Sequence, residues 1–130
     1  MNRIILFCCF FIILLSFFTW ANPVEIIVIV DASLSMEPCF SDLVSYLIED
    51  LLATGVQNDD VFHLIQFSSE PFHELTQKIE DKESLSSIIK EIMFLKEKVL
   101  FGRYTDVVKA MEKLYVFTAQ LSPAHEKKIF

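Results

Sequence analysis

E-I-I-V-I-V-D-A-S-L-S-M, residues Glu25 to Met36, is the stretch that decides the fold. Ile26 to Val30 is an unbroken run of branched apolar residues. Such a run fits a strand buried on both faces, as in a parallel sheet. It ends on an acid and two hydroxyls at alternate positions, Asp31, Ser33 and Ser35. In open α/β sheets ligands sit outside the carboxyl ends of the strands. Three oxygen-bearing side chains therefore lie where such folds bind.

One carboxylate and two hydroxyls are hard donors. They suit Mg²⁺, Mn²⁺ or Ca²⁺ better than Zn²⁺, which prefers Cys and His. Mg²⁺ takes few protein carboxylates and keeps water or ligand oxygens in its other positions. A plainer reading stands beside this one: Asp and Ser in a strand-to-helix turn that cap the next helix. Spacing alone does not choose between them.

A second stretch adds to the first. Gly102 to Lys109 reads G-R-Y-T-D-V-V-K, a loop entering a helix. The pair, D-x-S-x-S-M after a buried strand and G-x-Y-T-D before a later helix, resembles the von Willebrand factor type A domain from about Val24 to Phe130. The resemblance implies a three-layer αβα fold. Its sheet would be Rossmann-like, doubly wound and mostly parallel, with an antiparallel edge strand. It also implies a metal-ion-dependent adhesion site. Ser33, Ser35 and Thr105 would be hydroxyl ligands, Asp31 would act directly or through water, and Asp106 would support the site or cap its helix. The ion, Mg²⁺ or else Mn²⁺ or Ca²⁺, would be completed by an Asp or Glu carboxylate of a protein partner. In that family a further acid follows the next central strand, commonly in a T-D-G turn. No such turn occurs in this sequence. The expectation is thus a partial domain, 24–130, cut before its last strands, with weak metal binding and an open edge on its first strand.

Composition narrows the partners. The formal net charge is −7 over 130 residues. No Lys/Arg-rich face is apparent, which speaks against nucleic acid and against attraction to anionic membranes. Residues 1–21 have the parts of a secretory signal: Arg3, the apolar run Ile4 to Phe18, and Thr19-Trp20-Ala21 at the cleavage position. The alternative is an uncleaved anchor through residues 4–21, and only then would the chain engage a membrane. Either way the domain is expected outside the cytoplasm, secreted, periplasmic or on the cell surface. Cys8 and Cys9 fall in the leader, which leaves Cys39 alone. It reads as a buried thiol at a helix start, a reactive thiol or an intermolecular link, the first being most common.

The remaining elements follow in order. Pro38 suits an early helix position. Phe40, Leu43, Val44, Leu47, Ile48, Leu51 and Leu52 then share one helical face, and Gly55 ends it. Asp60 to Phe67 is a second strand, in which His63 reads as a satisfied core or edge histidine, with no second His or Cys at ligand spacing. Ser68 to Pro71 is a turn, and Phe72 to Ile79 a short antiparallel strand. Asp81 caps a helix whose apolar face is Leu85, Ile88, Ile89, Ile92 and Met93. Val107, Met111, Leu114, Tyr115 and Thr118 are expected to line the inner face of a third helix. Lys127 to Phe130 begins a further strand.

Three functions compete. One is a metal-dependent adhesion or protein-binding module. The second is a metal-independent scaffold or assembly domain, or a non-functional fragment. The third is an enzyme, and it finds little support. Aspartyl phosphotransfer needs a second Asp where Ser33 stands, and there is no G-x-S-x-G elbow or Gly-rich phosphate loop. Neither catalysis nor a small-molecule substrate is expected.

Overall fold

The structure is a computed structural model that describes residues 22–98 and 103–130. The leader and Leu100 to Gly102 lie outside the described residues. Strand β1, Val24–Asp31, sits inside a four-stranded sheet whose other strands are β2, Val61–Phe67, β3, Pro71–Lys78, and β4, Glu126–Ile129. Their order is β3-β2-β1-β4. β1 runs parallel to β2 and β4, and β2 runs antiparallel to β3. The short 68–70 turn explains the antiparallel pair, since a parallel neighbour needs a crossover. A shift in register between Leu64 and Ile65, which face Leu75 and His73, marks a β-bulge in β3.

Three helical runs cover the sheet. The first, α1, begins as a 3₁₀ turn at Leu34–Cys39 and becomes α-helical over Phe40–Tyr46. It then widens into a π-helical stretch at Leu47–Leu52 and closes at Ala53–Gly55. The π turn lets Leu47 and Leu52, five residues apart, both reach the core. Helices α2, Lys82–Lys98, and α3, Val107–Gln120, follow. α2 starts as its sequence requires: Asp81 Oδ1 accepts the Ser84 N–H at 2.7 Å, and Ser84 Oγ accepts the N–H groups of Glu80 and Asp81.

Two cores result from the alternation of β1. Ile26, Val28 and Val30 join Phe62 and Leu64 under Phe40, Leu47, Leu52, Ile88, Ile92 and Leu95. On the opposite face Ile27 and Ile65 meet Leu114, with Phe117 and Leu121 against them. This is the αβα layering expected, with α1 and α2 on one side and α3 on the other.

Four expectations change. β4 pairs with β1 from Val24 to Ile27, and Phe130 continues the pairing through Ile29, so β1 is an interior strand and not an open edge. Val107, Met111 and Tyr115 are exposed; the buried residues of α3 are Ala110 and Leu114, with Phe117 and Leu121 packed beside them. Met93 is exposed, and Leu95 takes its place in the core. Cys39 is exposed, not buried.

Candidate functional site

β1 delivers Asp31 to the carboxyl end of the sheet, beside Phe67 at the end of β2. The backbone then turns sharply. Asp31 Oδ1 accepts the Ser33 N–H at 2.8 Å, and Ser33 O accepts the Met36 N–H at 2.9 Å. Ser33 occupies the N-cap position of α1, yet its hydroxyl caps nothing. It lies 3.0 Å from the Ser35 hydroxyl instead. Ser33 is buried and Ser35 exposed, so the pair runs from the interior to the surface. The plainer reading of these serines as helix caps does not match this geometry.

Backbone hydrogen bonds bring the second stretch to the same end. Phe67 O accepts the Ala32 N–H at 2.7 Å, and Ser68 O accepts the Asp106 N–H at 2.7 Å. Thr105 thus stands one residue from a direct tie to the strand beside Asp31. It is exposed and makes none of the hydrogen bonds that join Asp31, Ser33 and Ser35. Asp106 caps α3, its Oδ1 accepting the Lys109 N–H at 3.0 Å. Lys109 Nζ reaches Glu70 Oε1 at 2.6 Å across the 68–70 turn. That carboxylate holds the ammonium above the ordinary lysine range.

Asp106 offers a test of capping against a wider role. Asp106→Ala is expected to lower stability by about 1 kcal/mol, read from the urea midpoint. Asp106→Asn, which keeps an accepting oxygen, should restore most of it. A full loss in the Asn variant would assign the effect to charge and not to the cap.

The donor chemistry fits a hard divalent cation, since all the side-chain donors are oxygen and one is a carboxylate. Among the described residues no three His, Cys, Asp or Glu side chains are grouped to hold a metal. A cation here would therefore depend on Asp31 together with hydroxyls.

A second polar cluster lies under α3, and the sequence reading found only part of it. Glu25 is 4% exposed and His63 2%. Glu25 Oε2 meets His63 Nε2 at 2.6 Å, and Oε1 meets His125 Nδ1 at 2.8 Å. His63 Nδ1 lies 2.8 Å from Thr76 Oγ1, and the His63 ring meets the edge of Phe117 at 5.0 Å. Burial pushes the Glu25 carboxyl up, but the hydrogen bonds from both histidines and their charges together outweigh it and hold it below the ordinary 4.5. His63 is thus a satisfied core histidine, as expected. The signal for its partner was present: Glu25 is an acid at the mouth of a buried apolar strand, where it needs compensation.

No family model matches the sequence, and no curated protein matches it. Solved structures do. Proximal thread matrix protein 1 from the mussel byssus superposes with a TM-score of 0.64 at 18% identity, over 83% of this chain and 30% of that one. The same protein with a zinc-occupied MIDAS motif gives 0.62 at 16% identity, again over 83% and 30%. The pilus adhesin SpaC of Lactobacillus rhamnosus GG, in its open conformation, gives 0.62 at 17% identity, over 85% and 14%. A von Willebrand factor type A protein of Catenulispora acidiphila gives 0.61 at 12% identity, over 84% and 26%. The chain spans less than a third of the length of each of these neighbours. The strand order, the antiparallel β3 and these superpositions together establish that this chain has the von Willebrand factor type A-like fold.

Proposed function

We propose that the chain is a protein-binding module of the adhesion type that works through a divalent cation. The observation that carries this reading is the Asp31–Ser33–Ser35 cluster at the carboxyl end of an interior strand, with two hydroxyls turned toward each other and neither capping α1. Asp31, Ser33 and Ser35, with Thr105 from the adjoining loop, would hold the ion, and Asp106 would steady the loop. The ion would supply a Lewis-acidic position for an Asp or Glu carboxylate of a protein partner. The all-oxygen donor set favours Mg²⁺, with Mn²⁺ or Ca²⁺ as alternatives. The zinc in the byssal neighbour supports a divalent site in this fold without deciding the metal.

The module has no catalytic role in this reading. It acts outside the cytoplasm, as a secreted or surface protein, in keeping with the leader-like residues 1–21 and with neighbours described as byssal matrix and pilus proteins. Among the described residues no helix is long and apolar enough to cross a membrane.

Titration of the purified chain with Mg²⁺ and then Mn²⁺, followed calorimetrically and as a shift in melting temperature, tests the reading. A saturable shift that EDTA reverses is expected. An unchanged melting curve with both ions would favour the second reading, a metal-independent scaffold. That reading has its own support, because among the described residues no group of three His, Cys, Asp or Glu side chains is placed to hold a metal.

A further inference from the structure

The buried cluster under α3 joins all four strands. Glu25 lies on β1, His63 on β2, Thr76 on β3, and His125 immediately before β4. Both oxygens of one carboxylate are engaged, each by a different histidine. Glu25 and Lys127 are register partners, so His125 binds Glu25 where β4 joins the sheet. β4 itself is short and exposed along most of its length, and among the described residues it pairs with β1. Besides the backbone bonds to β1, the start of β4 is held by the buried Glu25 carboxylate through His125.

The surroundings leave Glu25 few other charges to answer to. β2 presents His63 and β3 presents Thr76, which does not titrate in this range. β4 presents Lys127, whose ammonium donates to the Ser122 and His125 carbonyls at 3.0 and 3.4 Å. Asp60, buried beside the start of β1, is occupied by the N–H groups of Val24 and Gln57. α3 contributes the apolar Leu114 and Phe117 to this face, and Leu121 follows just past its end.

We infer that Glu25 is the buried counter-ion of a two-histidine latch holding β4 on the sheet, so that protonating this one carboxylate loosens β4 and bares the edge of β1. The sign follows from the chemistry. A carboxylate accepts from both ring N–H groups at once. A histidine that gains a proton beside it becomes a stronger partner, so mild acid does not open the latch. A protonated carboxyl carries its own O–H and cannot accept on both oxygens without a donor facing a donor. Because the Glu25 carboxyl is held below its ordinary value, the stabilisation is complete above that value and is lost as pH falls through the lower, folded-state one.

Glu25→Gln changes the window. The amide accepts from one histidine, but its NH₂ faces the other ring. That pairing requires the second histidine to be neutral with an acceptor nitrogen turned inward. The variant should then lose the latch once that histidine is charged, at a higher pH than the unmodified chain does. The measurement is amide hydrogen exchange, as protection factors, at Phe130 and Ile29, which bridge β4 and β1. Protection in the unmodified chain should hold from about pH 8 to about pH 5. It should then fall roughly 10–100-fold in more acid solution, before the amides of β2 lose theirs. In Glu25→Gln the same fall should come at a higher pH than in the unmodified chain. His125→Ala, at a half-exposed position, serves if the glutamine variant does not fold, and should lower protection at Phe130 by roughly 10–100-fold at neutral pH. Protection at Phe130 and Ile29 that matches the unmodified chain in either variant, or that is lost only together with β2, overturns the latch.

Discussion

Asp31→Ala is expected to abolish the cation-induced rise in melting temperature and all cation-dependent binding. Asp31 supplies a formal negative charge beside the Ser33–Ser35 turn, and hydroxyls alone do not offset the dehydration of a small divalent ion. The loss should exceed the roughly 10–100-fold that removal of an outer partner of a metal ligand costs. The alanine variant removes a second thing as well, since Asp31 Oδ1 holds the Ser33 N–H at 2.8 Å. Asp31→Asn separates the two. It keeps an oxygen for that N–H and so the shape of the turn, but it removes the charge. The proposal expects both variants to fail in metal titration while the asparagine variant melts close to the unmodified chain without metal. An asparagine variant that still responds to Mg²⁺ or Mn²⁺ with similar affinity would remove the site from the function.

Phe62→Ala carries the largest expected loss of stability, about 3–5 kcal/mol. The ring is fully buried, in register beside Ile26 on β1, within the core closed by α1 and α2. Close-packed neighbours on several sides leave little room to collapse into the space vacated. A domain of this size holds only about 5–15 kcal/mol in all, so the urea midpoint should fall steeply or folding should fail. Tyr115→Ala is the matched comparison. Tyr115 is 78% exposed, and its loss should change stability by no more than about 0.5 kcal/mol. A large effect at Tyr115, with a small one at Phe62, would mean that the helix faces have been assigned wrongly.

That comparison also shows where periodicity stops being informative. α3 carries two apolar rows side by side. Val107, Met111 and Tyr115 form one, and Ala110, Leu114, Phe117 and Leu121 form the other. Both have helical spacing, and the inner face read from the sequence, Val107, Met111, Leu114, Tyr115 and Thr118, drew on both rows. The rotation of the helix is settled by contacts distant in sequence: the Asp106 N–H on Ser68 O and the Lys109 ammonium on Glu70. These turn the second row toward Ile27 and Ile65. The same limit applies to Met93 and Leu95, which flank Ile92 on opposite sides of the stripe; Leu95 is buried and Met93 exposed. A helical pattern specifies a stripe only to within the width of a neighbouring side chain.

The local statements in the sequence were reliable where they depended on near neighbours. The five apolar residues of β1 marked a strand buried on both faces, although the open edge expected beside it is filled by β4. Asp81 was legible as the cap of its helix, and the short 68–70 turn fitted an antiparallel partner. Asp31, Ser33 and Ser35 were legible as a group because alternate residues at a strand end stay within a few ångströms of one another whatever the remainder of the chain does. Thr105 was placed at their side only by resemblance; what the structure adds is the backbone tie from its neighbour Asp106 to Ser68, just past the end of β2. Glu25 meeting His125 across 100 residues was not legible at all. Hydrogen bonds between residues so far apart depend on strand order and register, and those were decided when β4 took its place against β1. The sequence by itself therefore determined the strands, the caps and the oxygen cluster. The tertiary structure alone decided which face of α3 is buried and which buried charges are paired, because both depend on how separate elements are turned against each other.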